Sequence, residues 1–151
     1  MKYIILIGRI FYSLIFVSAI AVHFSGESIA YSEAAGVPLA SIAVPLSGIM
    51  AFLGGLSVAF GYKARWGALL IILFLVPVTL MMHNFWAITD PMMARMQYAM
   101  FMKNLSILGG ALIIAYFGSG PLSIDSPRKK VHQISKHKKE YVPTKENVYS
   151  E

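Results

Sequence analysis

The side chains of this sequence able to do chemistry fall into two sets, both within apolar surroundings. The first follows one helical face: Arg9, then Tyr12, Ser13, Phe16 and His23 at offsets of three, four, seven and fourteen residues. The second combines His83, Asn84 and Trp86 with Lys103 and Asn104 further along. A charged group inside lipid costs a few kcal/mol or more, so such residues mark a site or a specific partner. His23, His83, Asn84, Trp86, Lys103 and Asn104 are expected to converge as a ligand-binding pocket. Arg9, Tyr12 and Ser13 are expected to form a separate polar face at the inner end. A cationic, hydrogen-bonding pocket in an apolar wall suits a quinone head group or another small amphipathic ligand. Two histidines can also relay a proton. The plainer alternative is a set of interhelical hydrogen bonds holding no ligand. No metal site is expected. Cysteine is absent, and two histidines without a carboxylate in the same apolar runs make a poor ligand set.

Four elements must position these residues. Hydrophobic residues make up 57% of the 151 and charged residues 13%, and the mean hydropathy is +0.64. That balance excludes a water-soluble domain and a disordered chain. A helix needs about 20 apolar residues to cross a bilayer, and four runs qualify: 3–24, 39–60, 66–86 and 97–117. Backbone groups in lipid must pair within their own segment, so these runs read as helices. The expected fold is all-α, a transmembrane four-helix bundle occupying residues 1–120. Pro45 and Pro77 fall inside spans and are expected to kink them. Small residues at four-residue spacing, Ala51, Gly55 and Ala59 on the second span and Ser106 and Gly110 on the fourth, are expected to mark close helix contacts. Lys103 shares the latter face and is expected to point inward.

The charge distribution sets an orientation. Lys2, Lys63, Arg65 and a basic tail at 121–151 fall on one side. Glu27, Glu33, Asp90 and Arg95 fall on the other. Positive residues stay cytoplasmic, so both termini are expected inside (N-in/C-in). The tail is expected to be disordered and to lie against anionic lipid, with no nucleic-acid role. A cleaved signal peptide ending near Ser28-Ile29-Ala30 fits poorly, because Arg9 interrupts its apolar core.

An ordered series of short motifs adds a family resemblance. Gly8-Arg9-Ile10 opens it, followed by Tyr31 and Ala35-Gly36-Val37-Pro38, Gly54-Gly55, and Thr79 with His83-Asn84-Phe85-Trp86. Gln97, Lys103-Asn104-Leu105, Gly109-Gly110, Gly118-Ser119-Gly120 and Ser123-Ile124-Asp125 complete it. Over residues 4–126 the series resembles the DoxX family of small bacterial membrane proteins. That resemblance implies a non-catalytic, quinone-facing or partner-anchoring subunit of a membrane redox or redox-defence complex, with soluble or membrane redox proteins as partners. It directs attention to Arg9, His83, Lys103, Asn104 and Asp125. A proton-linked or small-solute transporter and a structural assembly factor are the competing expectations. The expected location is the bacterial inner membrane.

Overall fold

A computed structural model of the chain describes residues 2–126. The tail expected at 121–151 therefore lies, beyond Ser126, outside the described residues.

Five α-helices follow one another: α1 (Lys2–His23), α2 (Gly26–Ala34), α3 (Ala40–Phe60), α4 (Ala64–Met82) and α5 (Pro91–Phe117). A short 3-10 turn, Phe85–Ala87, separates the last two. Four of the helices are long and apolar enough to cross a membrane. Their surfaces agree with that solvent: Ile4, Phe11, Leu53, Leu73 and Ile113 are all more than half exposed. In water this outer surface would be a single apolar patch far larger than a soluble monomer tolerates. The described chain is a helical membrane bundle with no strand in it.

The helix ends explain where the spans differ from expectation. Asp90 precedes Pro91, and its carboxylate accepts from the Met93 amide at 2.7 Å. Aspartate at the cap and proline in the first turn start a helix, so α5 begins six residues before Gln97. The segment between the first two expected spans holds α2. The Ser25 hydroxyl caps it by accepting from Ser28 N at 3.2 Å, with Glu27 in the first turn. Helices α3 and α4 run continuously through Pro45 and Pro77.

Packing proceeds side by side: α1 on α3, α3 on α4 and α4 on α5, with α2 laid across the end of α3. Phe16, Ala51, Val58, Ala68, Ile71, Phe74, Leu75 and Ala111 form the core. Small residues set the spacing. A Cβ at Gly54 would stand 2.9 Å from the Gly67 carbonyl oxygen, and one at Gly55 would stand 2.9 Å from Phe16 Cβ. The face predicted from Ala51 and Gly55 is thus a contact face, while the Gly54–Gly67 crossing was not anticipated. The fourth-span pair divides. Gly110 packs under the Tyr12 ring, whereas Ser106 is exposed and bonds its own helix at Met102 O, 3.0 Å away.

The bundle has two distinct ends. The tight α3–α4 turn marks one, the turn end. There the chain after α5 folds back, with Ile124 N donating to Phe60 O at 3.2 Å and Asp125 N to Gly61 O at 3.0 Å. The connections containing α2 and the 3-10 turn mark the other, the loop end.

Candidate functional site

The loop end contains a cavity of about 570 Å³ between α1, α2, α3 and α4. Its deeper wall is apolar: Met50, Leu73, Phe74, Pro77, Val78 and Met81. Its polar groups come from His23, Ser28, Tyr31, Ser32, Ser47 and His83. Both histidines are positioned by hydrogen bonds. His23 Nδ1 donates to Ala19 O at 2.8 Å, one turn back on its own helix. His83 Nδ1 lies 2.7 Å from Gln97 Oε1 on α5, an amide oxygen able only to accept. In each neutral ring Nε2 is left as an acceptor. Of the wall hydroxyls, Ser32 Oγ donates to Ser28 O at 2.8 Å and Ser47 Oγ to Val44 O at 2.7 Å, while those of Ser28 and Tyr31 can still donate. The cavity thus combines an apolar body with a short rim rich in acceptors.

Of the six residues expected to converge, His23 and His83 line this cavity together. Asn84 and Trp86 do not line it. Trp86 joins a separate aromatic group, 5.9 Å from Phe101, with Phe85 packed edge-on against Trp86 and Tyr98 at 5.1 Å each. Lys103 is exposed on α5, with Nζ 3.3 Å from Met100 Sδ, one turn toward the loop end. Lys103 is thus on the outer surface of α5 and not in the cavity wall. Asn104, the next residue round the helix, is buried, in line with Gln97 and Ala111 at seven-residue spacing. Depth along antiparallel spans brought the two histidines together. The azimuth of Lys103 could not be read from depth, and its face is not the packing face.

Sequence reasoning missed Gln97, which is 8% exposed and orients His83. Its signal was available, since Gln97 and His83 flank one short connection at equal depth. It also missed Tyr31 and Ser32, which lie on α2, between the first two expected spans.

The turn end carries the other polar set. Arg9 is 4% exposed, with Nη1 donating to Ser119 O at 2.6 Å and Nη2 to Leu122 O at 2.7 Å. These carbonyls are offered by a segment of left-handed residues, with Gly118, Gly120 and Leu122 at φ of 79°, 67° and 56°. Gly61, itself at φ 65°, leaves the space Arg9 fills. Ser13 lies one turn deeper and is buried, and Tyr12 Oη donates to Ile107 O at 3.1 Å, joining α1 to α5. Arg9 Nε and Ser13 Oγ are buried without a hydrogen-bond partner among the described residues.

A bundle with four helices long and apolar enough to cross a membrane defines a multi-pass membrane protein. The profile of the SURF4 family matches residues 1–131, and the chain belongs to that family. It is 34% identical over 123 residues to the inner membrane protein YqjF of Escherichia coli (strain K12), covering 80% of this chain and 88% of that one. It is 30% identical over 81 residues to the ER-derived vesicles protein ERV29 of Saccharomyces cerevisiae, covering 54% of this chain and 26% of that one. A Surfeit locus protein 4 homolog of Drosophila melanogaster is 33% identical over 75 residues, 48% of this chain and 27% of that one. The chain thus spans about a quarter of the yeast and fly relatives. No solved structure matches it. It is a multi-pass bacterial inner-membrane protein in contact with the bilayer.

These findings correct the DoxX resemblance and the redox role drawn from it. The series that carried the resemblance consists of paired glycines, helix-end glycines and an arginine near the start of the first span. Physically these are requirements of close helix packing and of helix ends, so they do not single out one family. With the family reassigned, the expectation of a quinone-linked redox subunit has no support.

Proposed function

We propose that this chain is a membrane-embedded binding protein whose loop-end cavity takes one small amphipathic molecule, with its apolar body inward and a hydrogen-bond-donating end at the rim. The observation that carries this reading is the cavity itself, about 570 Å³ with Phe74, Met50 and Met81 below and His23 and His83 above. That size falls within the range of sites for small ligands, roughly 300–1,000 Å³. The two imidazole acceptors favour a hydroxyl or amine over a carboxylate, and no Lys or Arg among the described residues lines the cavity. The charge asymmetry between the ends supports an orientation with the turn end cytoplasmic and the cavity facing outward.

The test uses the full chain in phosphatidylcholine nanodiscs with decanol, decylamine and decanoate as probes. Decanol and decylamine are expected to raise the melting temperature, and decanoate to raise it much less. Ser47→Phe, which fills the cavity wall, is expected to abolish the response while leaving the unliganded melting temperature near that of the parent. Equal responses to all three probes, or an undiminished response in Ser47→Phe, would reject the site.

A further inference from the structure

A second cavity, of about 590 Å³, opens at the turn end between the α3–α4 turn and the segment that follows α5. Lys63, Arg65, Trp66, Phe117 and Asp125 are among its walls. We propose that it binds the phosphate of an anionic phospholipid from the leaflet at that end.

Three observations converge on this. Two cationic side chains face one concavity. Arg65 lies beside Gly118, its Nε 3.4 Å from where a Cβ would stand, which places the guanidinium against the segment that follows α5. Lys63 Nζ lies over the Tyr62 ring at 5.7 Å from the centroid, still free to move toward an anion. An arginine fork and a nearby ammonium together suit a phosphate, which accepts from both. The level of the cavity is the second observation. Trp66, Tyr62, Tyr116 and Phe117 are exposed by 69%, 52%, 76% and 73% around the same end of α4 and α5. Exposed tryptophan and tyrosine mark the depth of lipid head groups. A phosphate at that depth belongs to a lipid whose acyl chains descend along α4 and α5. The third observation sets a limit. Asp125 shares the cavity, so its carboxylate opposes an anion and its removal should tighten binding.

The experiment is native mass spectrometry of the full chain with phosphatidylglycerol, with phosphatidylcholine, and with inorganic phosphate as competitor. The parent chain is expected to retain one phosphatidylglycerol in preference to phosphatidylcholine. The double variant Lys63→Gln, Arg65→Gln is expected to lose that lipid by about tenfold or more. Asp125→Asn is expected to retain more than the parent, an opposite change that misfolding cannot imitate. Neutralising Lys138 and Lys139 in the tail is expected to leave the one-to-one complex in place. Unchanged retention in the double variant, or equal retention of both lipids, would overturn the proposal. Displacement of the lipid by inorganic phosphate would overturn the assignment to a lipid source.

Discussion

Replacing Arg9 with methionine should lower the melting temperature of the detergent-solubilised protein by about 10–20 °C. Two charge-assisted hydrogen bonds hold the segment after α5 to α1, at 2.6 Å to Ser119 O and 2.7 Å to Leu122 O. Hydrogen bonds to charged groups are each worth about 1.5–3 kcal/mol net. Methionine keeps much of the stem's packing but leaves both carbonyls without a donor. The loss is then about 3–5 kcal/mol, a large part of a typical total stability of about 5–15 kcal/mol. The returning segment also supplies amides to Phe60 O and Gly61 O, so its release should expose the chain after Phe117 to protease at the turn end. Arg9→Lys should recover only part of the loss, because a single ammonium lacks the fork that reaches two carbonyls. An unchanged melting temperature and protease pattern in Arg9→Met would mean that the guanidinium is an interfacial snorkel rather than a clamp.

The second large effect is expected at the crossing of α3 and α4. A Cβ at Gly67 would run into the Ser57 side chain and lie 3.0 Å from Gly54 O, and one at Gly54 would meet Gly67 O at 2.9 Å. The Ser57 hydroxyl can rotate away, but its Cβ and the opposing backbone carbonyl cannot. In lipid the helices associate mainly through such close packing. Gly67→Leu must therefore push the pair apart across Ile71 and Ala68, both fully buried. Overpacking of this kind costs about 1–3 kcal/mol and occasionally more. Gly109→Ala is the contrasting case. Nothing lies within 4 Å of a Cβ there, so it should be neutral or stabilising by up to about 1 kcal/mol through helix propensity. Thermal denaturation of the two variants side by side checks the sign of each. A Gly67→Leu protein as stable as Gly109→Ala would show that the crossing is not tight.

The spans were legible because lipid imposes a length and a composition on every crossing helix, and runs such as 66–86 satisfy both. Of the six residues expected to converge, His23 and His83 line one cavity. Azimuth was not legible. Lys103 was assigned inward from its spacing to Ser106 and Gly110, but α5 packs on α4 through Gln97, Asn104 and Ala111 instead. A helix apolar on nearly every side carries little periodic signal to say which side is inner. The α2 helix escaped notice because it is nine residues long and polar, formed by a local cap and resting on α3. The family was misread because glycine pairs and a first-span arginine report packing needs common to many four-span chains, not the chemistry of one family.

The central claim is that the loop-end cavity, not the lipid-facing surface, is where a small amphiphile sits. The most direct measurement is photo-crosslinking of the full chain in nanodiscs with a diazirine-bearing decylamine, followed by mapping of the modified residues. Labelling concentrated at Met50, Met81 and Ser47, and lost when excess decanol is present, is the predicted result. Labelling spread over Leu53, Leu73 and the exposed face around Lys103, unaffected by decanol, would contradict it.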